Sequence, residues 1–470
     1  MTSTSDQGYP SAAAIAPPPG CPAHVPAAAG TQLYGPDAER DSNGLYERLR
    51  QQHGPVAPVL VPGGQPAWLV LGYNEIRAVT SQTSLFNSDP RNWRAVQDGQ
   101  VGPDHPLAPL AFYQPMANFA DGPEHERLRR AVRESLDLWD GRAVRRFVQR
   151  MANGLIDDFA AAGRADLVSQ FAEQLPMLVM TQLIGMPEEE GPRLVEACRD
   201  LMKGSETAVA SNDYVLRTLT ALVARKRNQP ASDVASWLLA HESKLSDREV
   251  VEHLRLIMVG GNETTSNLIA DMLEVVLTDP QARAQLSGNQ LALSAALEGV
   301  LWDSPPLRVI PARYALGDTT LGEQVIHAGD MVLLGLAAGN ADPRIRPEGS
   351  SMQGNRAHLA FGSGPHACPG SDIGRSIADN GIDQLLVRLP DLWLADEHAP
   401  RTRVSTWTSS HLVKLDVTFS PVTPPVRAKE RVAPVVEHIE VASDAEYGPE
   451  AEVQPRRRWW SPMARWWGGY

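Results

Sequence analysis

Phe361-Gly-Ser-Gly-Pro-His366-Ala-Cys368-Pro-Gly370 decides how this chain is read. One cysteine stands among glycines, behind an aromatic and two residues after a histidine. The thiolate, not the thiol, ligates metal, and it persists only where backbone N–H dipoles, a helix N-terminus or cations face the sulfur. The glycines permit the tight turns that such an arrangement needs. The stretch therefore reads as a loop offering an axial sulfur to an iron porphyrin. Phe361 would pack beside the sulfur and keep water off it, and His366 would meet a porphyrin propionate. The competing reading is a structural cysteine buried in a glycine-rich turn.

This loop resembles the cysteine loop of the cytochrome P450 family. The resemblance implies a mainly α fold with small β-sheets, with haem b (iron protoporphyrin IX) between a long central helix and the Cys368 loop. It implies Cys368 as the iron ligand, with Phe361 and His366 beside the cofactor. It also implies an oxidoreductase that uses dioxygen and two electrons to insert one oxygen atom into an apolar small molecule. The chain carries no flavin or nicotinamide fingerprint and no cysteine cluster for iron–sulfur. Electrons are accordingly expected from NAD(P)H through a separate ferredoxin and ferredoxin reductase.

The central helix can be placed from its own signals. Ser246 with Glu249 three residues on forms a capping box, and Leu245 with Val250 supplies a hydrophobic staple. Val250, Leu254, Ile257, Met258, Leu268, Met272 and Val276 recur at helical spacing up to Asp279-Pro280. Gly260 and Gly261 each cost about 1 kcal/mol against alanine in a helix interior, so the helix is expected to need room beside them. Glu263 and Thr264 follow, a carboxylate next to a hydroxyl. Reducing dioxygen at iron consumes two protons, which an acid–alcohol pair can relay. Gly-Gly-Asn-Glu-Thr-Thr resembles the oxygen-activating stretch of the bacterial P450 central helix, which assigns Glu263 and Thr264 the catalytic protons. The alternative is Thr264 bonded back to a helix carbonyl and Glu263 solvated.

Buried propionates require cations. In Asp121-Gly-Pro-Glu-His125-Glu-Arg-Leu-Arg129, His125 and Arg129 lie four apart and share a helix face. Their spacing resembles the family's propionate helix. Arg313, in Pro311-Ala-Arg-Tyr-Ala, opens a β-like run where relatives place another propionate arginine.

Two departures from the family pattern stand out. Relatives carry Glu-x-x-Arg in the helix before the first strand of this region; here Glu298 is followed at the third position by Leu301. The chain looks like the minority of bacterial P450s that lack this arginine. A buried carboxylate without its cation is destabilising by roughly several kcal/mol, so Glu298 is expected to pair with Arg344, Arg346 or Arg356, or to be partly solvated. Pro369, in turn, removes the first backbone N–H after the cysteine. Its place at the first turn of the following helix explains it structurally; a more electron-rich thiolate and a lower iron potential explain it functionally. The damage around Glu298 also supports a rival of another class, a haem-binding accessory or sensor protein with impaired catalysis.

Organisation follows composition. Residues 1–36 are rich in Ala, Pro, Ser and Gly and read as a disordered leader. Residues 37–419 form the haem domain, with β-like runs at Ala67–Leu71, Val309–Leu316, Val325–Ile326, Val332–Leu334 and Leu412–Phe419. Residues 420–470 read as a disordered tail. Its last fifteen residues, from Arg456, hold four of the eleven tryptophans and four arginines, a composition that suits docking to a membrane surface or a protein. A formal charge of −13 disfavours nucleic acid as a partner. Three scattered cysteines, and no apolar run of spanning length, point to a cytoplasmic protein, peripheral to the membrane if the tail docks there. Substrate contacts are expected from Arg91–Asn118, Leu175–Val209 and Thr406–His411.

Overall fold

A computed structural model describes residues 30–423, apart from 103–104, 188–189, 192, 195, 198–207, 280–282, 284–291 and 348. The first 29 residues, Cys21, Cys198, Pro280 and the chain from 424, with its Arg/Trp-rich end, lie outside the described residues.

The central helix runs Asp247–Thr278, 32 residues, with the Ser246–Glu249 capping box formed in both directions. Leu245 and Val250 enter the same buried cluster, as the staple requires. Two cores share this helix. Val250, Leu254 and Met258 are buried with the helices around Leu128 and Leu222, whereas Leu268, Met272 and Val276 are buried with Phe171, Leu301 and Ile382. Ile257, expected in the core, is half-buried at the edge of the first cluster. Between the two cores lies the Gly260–Thr264 stretch, where Gly260 is exposed. A Cβ at Gly260 would meet only Leu256, at 4.0 Å, so this glycine does have room beside it. Gly261 does not: a Cβ there would fall 2.3 Å from Met180 Cε. The space its side chain would take is filled by the tip of Met180, from the helix Leu175–Leu183.

A six-stranded sheet packs at one side, in the order Thr31–Gln32, Val56–Val61, Gln65–Val70, Met331–Leu334, Ile310–Ala315, Phe86–Asn87. Its antiparallel pair Val56–Val61 with Gln65–Val70 is fully in register from Val56↔Val70 to Val61↔Gln65. Sequence reading missed the first of these strands because Pro58 interrupts the run. The expected Leu412–Phe419 run divides in two. Ser410–Leu412 pairs with Arg403–Ser405, and Asp416–Thr418 pairs with Arg164–Asp166. The folded unit also exceeds its expected bounds. Thr31–Gln32, assigned by composition to the leader, adds a parallel edge strand on Val59–Leu60, and Val422 N–H bonds the Ala160 carbonyl at 2.9 Å.

Three further helices carry the site: Gly122–Asp137, Leu293–Asp303 and Ser371–Arg388. The last packs against both Leu293–Asp303 and the central helix. Thr265 Oγ1 lies 3.6 Å from where a Gly374 Cβ would sit, an ordinary contact distance, so the two helices face each other at this point. Among the described residues no helix is long and apolar enough to cross a membrane.

Candidate active site

The Cys368 loop is fixed by its backbone. Cys368 N–H donates to the Phe361 carbonyl at 2.8 Å, Gly362 N–H to Leu359 at 2.7 Å and Ala367 N–H to Gly364 at 3.0 Å. Gly362 and Gly364 both sit at φ +69°, a conformation that favours glycine. At Gly364 a Cβ would also strike the Thr80 carbonyl oxygen at 2.5 Å. The Thr80 and Ser363 hydroxyls, 2.7 Å apart, tie the loop to the helix Tyr73–Ser81.

Cys368 is exposed, which sets aside the buried structural cysteine. Protein atoms nonetheless crowd its sulfur, and that burial pushes the thiol pKa up. The Gly370 N–H, Arg129 and Arg375 act in the opposite direction by favouring the thiolate. Pro369 therefore does not leave the sulfur without a backbone donor, because Gly370 supplies one. Nor does Pro369 occupy the first helical turn. It lies in the turn ahead of Gly370, the N-cap of Ser371–Arg388.

Around the loop the structure gathers the expected side chains, though not all of them as cations. Arg129 donates to the Ala367 carbonyl, next to the cysteine. His125, one turn before it, is buried with its ring centroid 4.1 Å from that of His366. Burial, then the neighbouring His366, holds the His125 pKa down at about 4, so the ring is neutral at neutral pH. His366 is engaged by protein: its Nε2 lies 2.9 Å from Asp121 Oδ1 and 3.3 Å from Ser88 Oγ. Asp121 also accepts from the Ser88 N–H at 2.6 Å. Burial would raise the Asp121 carboxyl, but the His366 ring and the Ser88 amide outweigh it and the net shift is downward. Sequence reading missed Asp121, which stands at the N-cap of the His125 helix, where a carboxylate reads as an ordinary cap. Its side chain makes no cap bond there.

Arg313 is placed by a bulge. The register slips between Ile310↔Leu334 and Arg313↔Val332, and Ala312 takes φ +73°, unusual for a residue other than glycine. The bulge re-aims a guanidinium that is 6% exposed. Its Nη1 donates to the Ala312 carbonyl at 3.1 Å, while its Nε is buried without an acceptor. An arginine so placed is suited to an anion.

On the central helix, Thr264 Oγ1 donates to the Gly260 carbonyl at 2.8 Å, the back-bond anticipated as the alternative. A hydroxyl donating there keeps its lone pairs and can still accept a proton. Glu263 is not the solvated carboxylate of that alternative. It accepts from Ser409 Oγ at 3.3 Å, and desolvation lifts its pKa to about 7 against that bond. Ser409 lies 3.2 Å from Thr406 Oγ1, which lies 3.2 Å from Thr408 Oγ1. These hydroxyls belong to the segment expected to face substrate, but their link to Glu263 was not foreseen.

Glu298 is buried and does have partners, though not chiefly those expected. Arg344 pairs with Glu75 and Asp342, and Arg346 with Asp303. Only Arg356 reaches Glu298, at 3.3 Å from a side chain 65% exposed. The principal partners are Arg375 Nε at 2.7 Å and His358 Nε2 at 2.8 Å.

No family model matches the chain. It is 31% identical over 385 residues to the mycinamicin IV hydroxylase/epoxidase of Micromonospora griseorubida, covering 79% of this chain and 93% of that protein. Identity is 32% over 376 residues to a cytochrome P450 monooxygenase of Streptomyces venezuelae, covering 77% and 86%. Among solved structures, the myxobacterial cytochrome P450 CYP267B1 in complex with myristic acid superposes with a TM-score of 0.72 at 28% identity, over 82% of this chain and 98% of that one.

Proposed function

The chain belongs to the bacterial cytochrome P450 monooxygenases, and from that premise we propose that Cys368 is its iron ligand and that it oxygenates an apolar small molecule with electrons from a ferredoxin-type partner. The observation that carries the ligand assignment is the exposed Cys368 on a backbone-fixed loop, with the Gly370 N–H directed at its sulfur.

The residues present fit a haem b. Cys368 offers one sulfur, the buried Arg313 Nε awaits an acceptor, and Arg129 stands beside the loop. Arg313 and Arg129 would hold the anionic propionates, with His125 and His366 packed against them and Phe361 covering the sulfur. Bound there, the haem would supply dioxygen activation by iron. Glu263, neutral up to about pH 7, would hold the proton to be delivered, and Thr264 would pass it on from its place one residue along the helix. The exposed Gly260 leaves the space beside this pair into which an apolar substrate would fit. That the related CYP267B1 was solved with myristic acid favours an apolar substrate here.

With Glu298 paired, the leucine at 301 no longer argues for a haem protein without turnover. The test is spectroscopic. Reduced protein with carbon monoxide should give a thiolate-type Soret band that Cys368→Ser abolishes. Apolar compounds should shift the ferric spectrum and drive NADPH consumption when ferredoxin and its reductase are added. A Soret band that serine at 368 leaves unchanged would overturn the assignment.

A further inference from the structure

Glu298, on the helix Leu293–Asp303, is 2% exposed, and its carboxylate is gripped from the cysteine side of the molecule. Arg375 Nε donates to Oε1 at 2.7 Å and Arg375 Nη2 to Oε2 at 3.2 Å, a two-pronged contact that suits the planar guanidinium. His358 Nε2 meets Oε2 at 2.8 Å, while its Nδ1 accepts the Ala360 N–H at 3.2 Å. An Nδ1 that accepts carries no proton, so Nε2 bears the hydrogen and the ring contributes no charge. Arg356 reaches the pair only from the exposed rim. The positive charge that faces Glu298 from inside the rim is therefore that of the half-buried Arg375.

Arg375 touches the cysteine loop as well. Its guanidinium carbon lies 4.4 Å from the centre of the Phe361 ring, within cation–π range. Phe361 in turn accepts the Cys368 N–H at 2.8 Å, and the Arg375 charge favours the thiolate. Arg375 follows Cys368 by seven residues, on the helix that the loop leads into. Both ends of the loop are thus held to one carboxylate. Leu301, by contrast, is 1% exposed and packs in the apolar core with Val300 and Ile377. Its position is taken up by core packing.

We propose that Arg375 is the positioning residue that anchors Glu298 in place of an arginine at position 301, and that through Phe361 it keeps the cysteine loop in the geometry that lets sulfur ligate iron. The proposal rests on the haem-thiolate reading of Cys368. A merely structural ion pair would affect stability alone, whereas this arrangement couples stability to the ligation state of the iron.

The experiment compares Arg375→Gln, Arg375→Lys, Glu298→Gln and the Glu298→Gln/Arg375→Gln double variant with the wild-type holoprotein. Thermal melting and the carbon monoxide spectrum of the reduced form are both read. Arg375→Gln should lower the melting temperature by stranding a buried carboxylate, and adding Glu298→Gln should recover most of that loss. The share of thiolate-type Soret absorption should fall at least twofold in both variants lacking the arginine, because neither can hold Phe361, while Arg375→Lys keeps an intermediate share. Additive melting losses, or an Arg375→Gln protein with a wild-type Soret share, would overturn the proposal. If the wild type itself shows no thiolate-type band, the haem-thiolate reading and the anchoring of the loop fall together. The melting cycle then reports only on the Glu298–Arg375 pair.

Discussion

Glu263→Gln is expected to stabilise this protein in alkaline solution and to do little in acid. Glu263 is only half-buried by accessible surface, but protein atoms crowd its carboxylate and desolvation raises its pKa from 4.5 to about 7. Ser409 supplies one hydrogen bond in opposition. A raised carboxyl pKa means that the folded protein keeps a proton that the unfolded chain releases. Below pH 4.5 both states are protonated and nothing is lost. Between 4.5 and 7 the unfolded chain ionises first, so stability falls as pH rises, and above 7 the loss levels off. The shift from 4.5 to about 7 corresponds to about 3 kcal/mol. Glutamine is neutral throughout and escapes this loss. At pH 8 the variant should exceed the wild type by about 3 kcal/mol, and at pH 5 by under about 1 kcal/mol. Urea unfolding of both proteins at the two pH values measures the gap. A gap that changes by less than about 1 kcal/mol between them would refute the claim that burial holds this proton. The same titration gives turnover its expected shape. Activity should decline as pH passes through about 7 in the wild type, and Glu263→Gln should be slow at every pH.

Arg313→Leu removes a buried cation whose Nε lacks an acceptor, so the haem-free protein should gain stability while hemin affinity falls at least about tenfold, or about 1.4 kcal/mol. Melting and hemin titration check this, and a variant that loses both or neither contradicts the anion-binding role. Pro369→Leu adds an N–H next to the sulfur and should raise the iron reduction potential by an amount on the order of tens of millivolts, small because Gly370 already donates. An unchanged or lowered value in a redox titration would count against it. Gly260→Ala meets nothing closer than 4.0 Å and should stabilise by about 1 kcal/mol, whereas Gly261→Ala must displace the flexible tip of Met180, so its gain should be smaller by at least about 0.5 kcal/mol. Equal effects at the two positions would show that the helix is not open on one side and closed on the other.

What the sequence disclosed was set by distance along the chain. The Ser246–Glu249 box, the long central helix and the shared face of His125 and Arg129 depend on residues three or four apart, and all are present in the structure. The glycines of the cysteine loop were legible for the same reason, since φ +69° at Gly362 and Gly364 is a local demand. The parts that escaped are pairings across the fold. Asp121 finds His366 over 245 positions, Ser409 finds Glu263 over 146 and Arg375 finds Glu298 over 77. Each partner has an ordinary local alibi: a helix cap, a loop hydroxyl, a helix-surface cation. Val56–Val61 escaped differently, because Pro58 contradicts the local rule for strands.

The replaced arginine shows why reading a motif position by position misjudges this site. A buried carboxylate demands a cation and hydrogen-bond donors, but nothing in that demand specifies which element brings them. An arginine on the carboxylate's own helix would satisfy it locally and leave the cysteine loop to be fixed by other means. Here the cation comes from the helix that follows the cysteine, so one guanidinium meets Glu298, stacks on Phe361 and faces the sulfur. Leu301 can then join the apolar core at no electrostatic cost. The exchange links the Glu298 helix to the ligand loop through a single side chain. Substitution at Arg375 should therefore be more damaging in this chain than in a relative that keeps an arginine three residues after the glutamate.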